Sequence, residues 1–297
     1  MNYSCPNSHC NFYKSSDHVI KDGYFYRKND SRSVQRFKCK SCLKRFCAST
    51  LTLEYNQKKR RVNYKIFKLL CSGVSIRRTA LILKINPKTV ERKLIYLGKK
   101  ARIKNKRFLN KRNKSHSIIF DDLITKENTK LKPLSVTIAT DEDTRHILAV
   151  EVFQIPSFGH LAKKSRRKYG YRRCDHLKGL DKVFKSLTNF VWQDCVIKSD
   201  EHKKYPYVVS KYFPSAKHLT FKGERAHVAG QGELKKCGFD PLFVINHTCA
   251  MLRANINRLI RKTWCTTKDI ARLKDHLDIF TYFYNQFYLK TKYLTPI

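Results

Sequence analysis

The chain has 297 residues and carries 63 Lys and Arg against 23 Asp and Glu, a formal net charge of +40. An excess of that size repels itself in any compact state and points to a polyanionic partner, while 41% apolar and 12% aromatic residues exclude a wholly disordered basic tail. No stretch approaches the ~20 uninterrupted apolar residues that cross a bilayer, and Cys5, Cys10, Asp17 and His18 stand where a secretory leader would be apolar. The expectation is a cytoplasmic protein acting on nucleic acid, without a membrane partner and with its 11 cysteines mostly reduced.

Charge divides the chain. Residues 1–115 hold 31 Lys and Arg against 5 Asp and Glu, whereas residues 116–297 hold 32 against 18. Four parts are expected: a metal-bound ribbon over 1–50, a helical DNA-binding module over 51–98, a basic linker over 99–115 and a large domain over 116–297. The linker follows from the acid-free run GKKARIKNKRFLNKRNK at 98–114, a composition that can lie on phosphates.

The chain opens with CPNSHC at 5–10, and CKSC follows at 39–42, two close cysteine pairs separated by 28 residues. Cys5, Cys10, Cys39 and Cys42 therefore suit two knuckles around one tetrahedral Zn²⁺. Between them the segments at 23–27 and 34–39 alternate like short strands around the polar turn Asn29-Asp30-Ser31. About fifty residues cannot build an adequate core alone, so the ion would supply much of the folding free energy of this zinc ribbon.

Next, Val62, Ile66, Leu69 and Leu70 recur at helical spacing, Ser75 can cap a short helix containing Ala80, Leu81 and Leu83, and Asn86-Pro87 begins another. In the last of these Val90, Leu94 and Leu97 are expected to face inward, with Lys88, Thr89, Arg92 and Lys93 outward. Two helices joined by a tight turn, the second basic on its free face, form a helix-turn-helix candidate for double-stranded DNA.

The large domain begins with a strand at 117–122, ending in Asp121 and Asp122, and continues with strands at 134–140 and 146–155. A helix at about 175–190, a strand at 195–200 ending in Asp200, a helix near 205–213, a strand at 217–221 and a long helix at 241–262 complete a βββαβαβα order. That order predicts a mixed sheet with helices on both faces in a multidomain α+β chain. Between the third strand and the first helix, KKSRRKYGYRR at 163–173 reads as a loop whose cations, Arg166 and Arg167 among them, neutralise phosphates while its tyrosines stack on bases. Carboxylates at the ends of two strands can hold two divalent cations, one for the attacking and one for the leaving oxygen of a phosphoryl transfer. Asp121 and Asp200 are the candidates, with Mg²⁺ or Mn²⁺ as the ions.

In CPNSHC and CKSC, in SGVSIRRTALILKINPKTVERKL, in FDDLITKENTKLKPLSVTIAT, in KSDEHKKYP and in NHTCAMLRANINRLIRKTWCTTKD, the chain resembles bacterial insertion-sequence transposases of the DDE class, within the insertion-sequence-one-like group that carries an N-terminal zinc ribbon. The resemblance implies a ribonuclease H-like catalytic fold, divalent metal ions, and strand cleavage followed by strand transfer. It further implies binding to the element's ends and target as a homo-oligomer. By position Asp121 matches the first family aspartate, with Asp122 as its rival, and Asp200 the second. The third position departs from the pattern: the family places a glutamate early on the long final helix, where Asn246 stands here. Glu233, 33 residues after Asp200, is the favoured substitute, and Asn246 the alternative. On that helix Asn246, Arg253 and Asn257 share a face, which places Arg253 among the DNA contacts. A non-catalytic DNA-binding regulator is the competing expectation.

Overall fold

Segments that alternate with period two around a polar turn pair in the computed structural model as antiparallel strands, β1 (Val19–Arg27) and β2 (Arg32–Cys39), with β3 (Arg45–Cys47) added beside β2. The structure describes residues 3–28, 30–222, 240–260 and 265–290. It divides into two compact units between Ile66 and Phe67. In the first unit β1 carries a register shift between Lys21 and Tyr24, where Gly23 takes φ +68°, a region open to glycine. Arg27 closes the β1–β2 turn on Asp30 through bonds of 2.6 and 2.7 Å.

Helix α1 (Asn63–Leu70) crosses the division, and α2 (Ile76–Ile82) and α3 (Pro87–Leu109) follow it. The caps lie where the sequence places them. Ser75 accepts from the Arg78 amide at 3.2 Å, and Asn86 accepts from the Lys88 amide at 2.8 Å with Pro87 in the first turn.

The expected linker is largely helix. From Gly98 to Leu109 the basic run continues α3, and α2 and α3 belong to the same unit as the large sheet. Lys and Arg are good helix formers, and this half of α3 packs on α8 (Ile270–Gln286), a helix the sequence reading did not anticipate. A Cβ added at Gly98 would sit 2.8 Å from Asp275 Cβ, which measures how closely the two helices approach. Arg102 reaches Asp278 at 2.5 Å, and Asn285 donates to Asn105 at 3.0 Å. The buried face of α8 includes Asp275, His276, Asp278 and Asn285 beside the apolar Leu273, Leu277, Phe280 and Tyr284.

The second unit is built on a five-stranded sheet in the order β6-β5-β4-β7-β8. Its strands are β4 (Ser115–Lys126), β5 (Pro133–Asp141), β6 (Ile147–Gln154), β7 (Val191–Asp200) and β8 (Lys217–Phe221). The first three form an antiparallel meander, while β7 runs parallel to β4 and β8 parallel to β7. The sheet is mixed, as expected. Two helices, α5 (His176–Leu187) and α6 (Tyr205–Tyr212), cover one face through Phe120, Leu180, Phe184, Tyr205 and Phe213.

Three boundaries differ from expectation. The basic segment after β6 forms α4 (Leu161–Tyr169) instead of a loop. The helix expected over 241–262 is α7 (Phe243–Asn255), followed by a 3₁₀ turn at Asn257–Leu259. Asp121 and Asp122 lie within β4 and not at its end, because pairing with β5 continues to Lys126 opposite Pro133. Among the described residues no helix is long and apolar enough to cross a membrane.

One buried group sets an acid limit on this unit. His276 donates from Nε2 to the Leu70 carbonyl at 2.8 Å and is enclosed on all sides, and burial lowers its pKa to about 4. A histidine whose folded pKa is depressed stabilises nothing by charging, so stability is complete above pH 6.5 and falls as pH drops toward 4, by about 3 kcal/mol for the site. Chemical denaturation between pH 7 and 4 should show this slope, to which His146, also lowered to about 4 by burial, adds its own part, and His276→Gln, which stays neutral and can donate to the same carbonyl, should reduce it.

Candidate metal and nucleic-acid sites

The four predicted cysteines converge. Their sulfurs all lie within 4.8 Å of one another, with Cys5 Sγ 3.7 Å from Cys42 Sγ and Cys10 Sγ 3.9 Å from Cys39 Sγ. Four sulfurs ~2.3 Å from a tetrahedral zinc stand ~3.8 Å apart, whereas disulfide sulfurs approach to ~2.05 Å. The arrangement therefore suits one Zn²⁺. Local backbone builds each knuckle. The amide of Cys10 donates to the Asn7 carbonyl and that of Cys39 to the Lys44 carbonyl, both at 3.1 Å, and Leu43 adopts φ +56°. Burial pushes the Cys5 thiol up to about 12, while the Lys44 amide beside Cys42 draws that thiol down to about 6. Metal binding would replace the protons on both, since the thiolate is the ligand. Among the described residues this is the one group of three or more His, Cys, Asp or Glu side chains with converging ligand atoms.

Asp121 and Asp200 are brought together by strand register. Ile119 of β4 pairs with Lys198 of β7 in parallel, and two further residues along each strand set Asp121 abreast of Asp200 on the same face. Alternation sends Phe120 and Asp122 to the opposite face, under α5, where Phe120 meets Phe184 at 5.0 Å. Asp122 is occupied there. It accepts from Thr137 Oγ1 and meets His176 Nε2 at 2.5 Å. Burial raises the Asp121 pKa to about 7, with the charges of Asp200 and Asp122 adding to the rise and the Arg253 guanidinium opposing it. Asp200 is raised as well, chiefly by burial, and its buried Oδ1 has no hydrogen-bond partner. Two crowded carboxylates with an unused oxygen are suited to a hard divalent cation.

The third position is not assembled by the described residues. Glu233 lies outside them. Asn246, exposed on α7, donates from Nδ2 to Asp240 Oδ2 at 2.9 Å, and Asp240 in turn accepts from the Leu242 amide. The α7 side chains electrostatically coupled to Asp121 are Cys249 and Arg253, and burial pushes the Cys249 thiol up to about 12. Cys249 lies on the buried side of α7 with Ile245 and Leu252, and that helical period alone does not reveal the carboxylate opposite. His176 and Thr137 were missed, because no local pattern joins His176 to Asp122 54 residues away.

Of the expected DNA contacts, Lys88 and Arg92 are exposed on α3, Thr89 is half-buried, and Lys93 is buried at 4% exposure with its ammonium 5.9 Å from the Tyr96 ring centroid. The outward placement of Lys93 is thus corrected. Helix α3 packs against both α2 and α8, so its buried stripe is wider than a single partner requires. Arg166 and Arg167 are exposed on α4, and Arg253 is half-buried beside Asp121. No family model and no curated protein sequence matches the chain.

The cysteine geometry yields a direct test. Purified protein should carry one equivalent of zinc by elemental analysis, and Cys39→Ser should release it with loss of ordered signal from the first unit. The helical circular dichroism, which originates mainly in the second unit, should remain.

Proposed function

We propose that the chain is a DNA transposase of the DDE class, binding the ends of its element and carrying out metal-dependent strand cleavage and strand transfer. The observation that carries this reading is the pair Asp121 and Asp200, abreast on neighbouring parallel strands and facing the same side as α7. The sheet order supports a ribonuclease H-like catalytic domain, since an antiparallel meander extended from its first strand by two parallel strands is the arrangement that class requires. Support for a helix-turn-helix comes from α2 and the capped start of α3, which presents Lys88 and Arg92 to solvent.

Asp121 and Asp200 would hold the cations, Mg²⁺ or Mn²⁺, which when bound supply Lewis-acid activation and charge neutralisation at the scissile phosphate. The chain's own part is to hold two carboxylates rigidly on the sheet, so that ligation costs little reorganisation. Exposed cations on α3 and α4 would fix the duplex through its phosphates. A homo-oligomer would let two copies engage two ends.

One observation favours the second reading, a regulator that binds the same DNA without cutting it. Among the described residues, the α7 groups coupled to Asp121 are a buried thiol and an arginine in place of an acid. Incubation with DNA carrying the element's own ends and Mg²⁺ or Mn²⁺ separates the two. Nicked and joined products are expected, Asp121→Asn and Asp200→Asn should each reduce them at least ~100-fold without changing DNA affinity, and binding with no product under either ion would leave the regulator standing.

DNA binding has its own signature. Lys88→Ala and Arg92→Ala should each weaken duplex binding and lower the slope of log affinity against log salt by about 1, the loss of one phosphate contact. Lys93→Ala should instead lower the unfolding midpoint and leave the salt slope intact.

A further inference from the structure

The second unit contains a cavity of about 460 Å³ at the far end of β4, within the ~300–1,000 Å³ range of small-ligand sites. Its walls include Phe158, Leu161 and Ile260, and its cations are Lys126, Lys130 and Arg258, with no carboxylate among the described lining residues. The frame is fixed by several elements. The turn after β4 is pinned to the segment before α8, where the Asn128 amide donates to the Thr267 carbonyl at 2.9 Å, and Arg258 Nη1 donates to Thr267 Oγ1 at 3.1 Å. Helix α4 is tied to the same turn by Ser165, whose hydroxyl donates to the Leu131 carbonyl at 2.7 Å. Glu127, the acid nearest in sequence, is held by Arg172 at 3.0 Å.

An apolar wall with a cationic rim selects a ligand that is flat and apolar at one end and anionic at the other. Resting on the reading that the partner is DNA, we infer that this cavity receives one unstacked nucleotide, its base against Phe158 and its phosphate between Lys126 and Lys130. Phe158 is 66% exposed, which leaves its ring open as a stacking platform. Lys126 lies five residues beyond Asp121 on one strand, about 16 Å along it at ~3.3 Å per residue, and strand alternation turns the two side chains to opposite faces, so the cavity is distinct from the carboxylate pair. The exposed cations of α4 begin beside Leu161, which lines the cavity, and would lead the backbone toward it.

The probe is a single-stranded pentanucleotide with a central 2-aminopurine, titrated into the full chain. Saturable binding with a change in 2-aminopurine fluorescence is expected, weakened about tenfold or more by Phe158→Ala and by the double substitution Lys126→Ala with Lys130→Ala. Lys185→Ala, on exposed α5 surface away from the cavity, should leave it unchanged, and circular dichroism checks that each variant is folded. Inorganic phosphate should compete poorly. Equal competition by phosphate, or binding indifferent to Phe158, would overturn the inference. Cleavage of element ends without any response of the probe would also overturn the cavity assignment while sparing the transposase reading. A probe response that depends on Phe158, in a protein that binds no duplex, would do the reverse.

Discussion

The parallel pairing of β4 with β7 is the constraint on which the candidate chemistry depends. A register that sets Ile119 beside Lys198 brings two carboxylates together in a half-buried setting, where burial and the charge of Asp200 disfavour ionisation of Asp121. The sheet tolerates this because both strands are anchored from the other face by Phe120, Ile197 and their contacts with α5 and α6. A one-residue slip of β4 would exchange Asp121 for Asp122 and drive Phe120 out of the core. Core packing and site geometry are therefore the same constraint, and Asp122 is committed to Thr137 and His176 by it.

Sequence patterns were most informative where chemistry is local. Cysteine spacing, the Asn86-Pro87 helix start and the strand ending in Asp200 depend on residues near one another in the chain, and each lies in the structure where its local pattern put it. Long-range packing was not legible. Residues 99–109 have a linker's composition, yet Gly98, Arg102 and Asn105 meet Asp275, Asp278 and Asn285 on a helix some 170 residues later. Buried apolar residues recur on both helices, Leu97 and Ala101 on α3 and Leu273, Leu277, Phe280 and Tyr284 on α8, but a stripe does not name its partner, and the side-chain bonds that join the two are polar and distant in sequence. Lys93 shows the same limit on a smaller scale, since a helix with two partners buries positions that a single stripe leaves outside.

Helix α3 serves two physical purposes along its length. Its first turns, capped by Asn86, present Lys88 and Arg92 to solvent while Val90, Lys93 and Leu94 are buried on the other side. Its last turns are bound into the unit that carries the sheet by charge pairs that are partly buried, and such pairs are costly to break from one side. The exposed cations at the start of α3 and the helix's contact with the sheet-bearing unit thus belong to one continuous helix. A contact made at its start is delivered to the sheet as a fixed orientation, which suits an activity that must place one phosphate against two carboxylates.

The placement of acids explains how a chain of such net charge remains folded. Within the second unit many of the described acids are paired inside it: Asp141 with Arg112, Glu142 with Lys198, Asp278 with Arg102 and Lys274, and Asp181 with Lys211. Acids used internally leave more of the outer surface to the cations, so the positive field is turned toward solvent. Asp121 and Asp200 depart from that pattern. Their nearest opposing charge on α7 is a single arginine, and Asp200 retains an oxygen with no partner. In a protein whose other acids are so often paired, carboxylates left crowded and undersatisfied are the place where an external cation gains most.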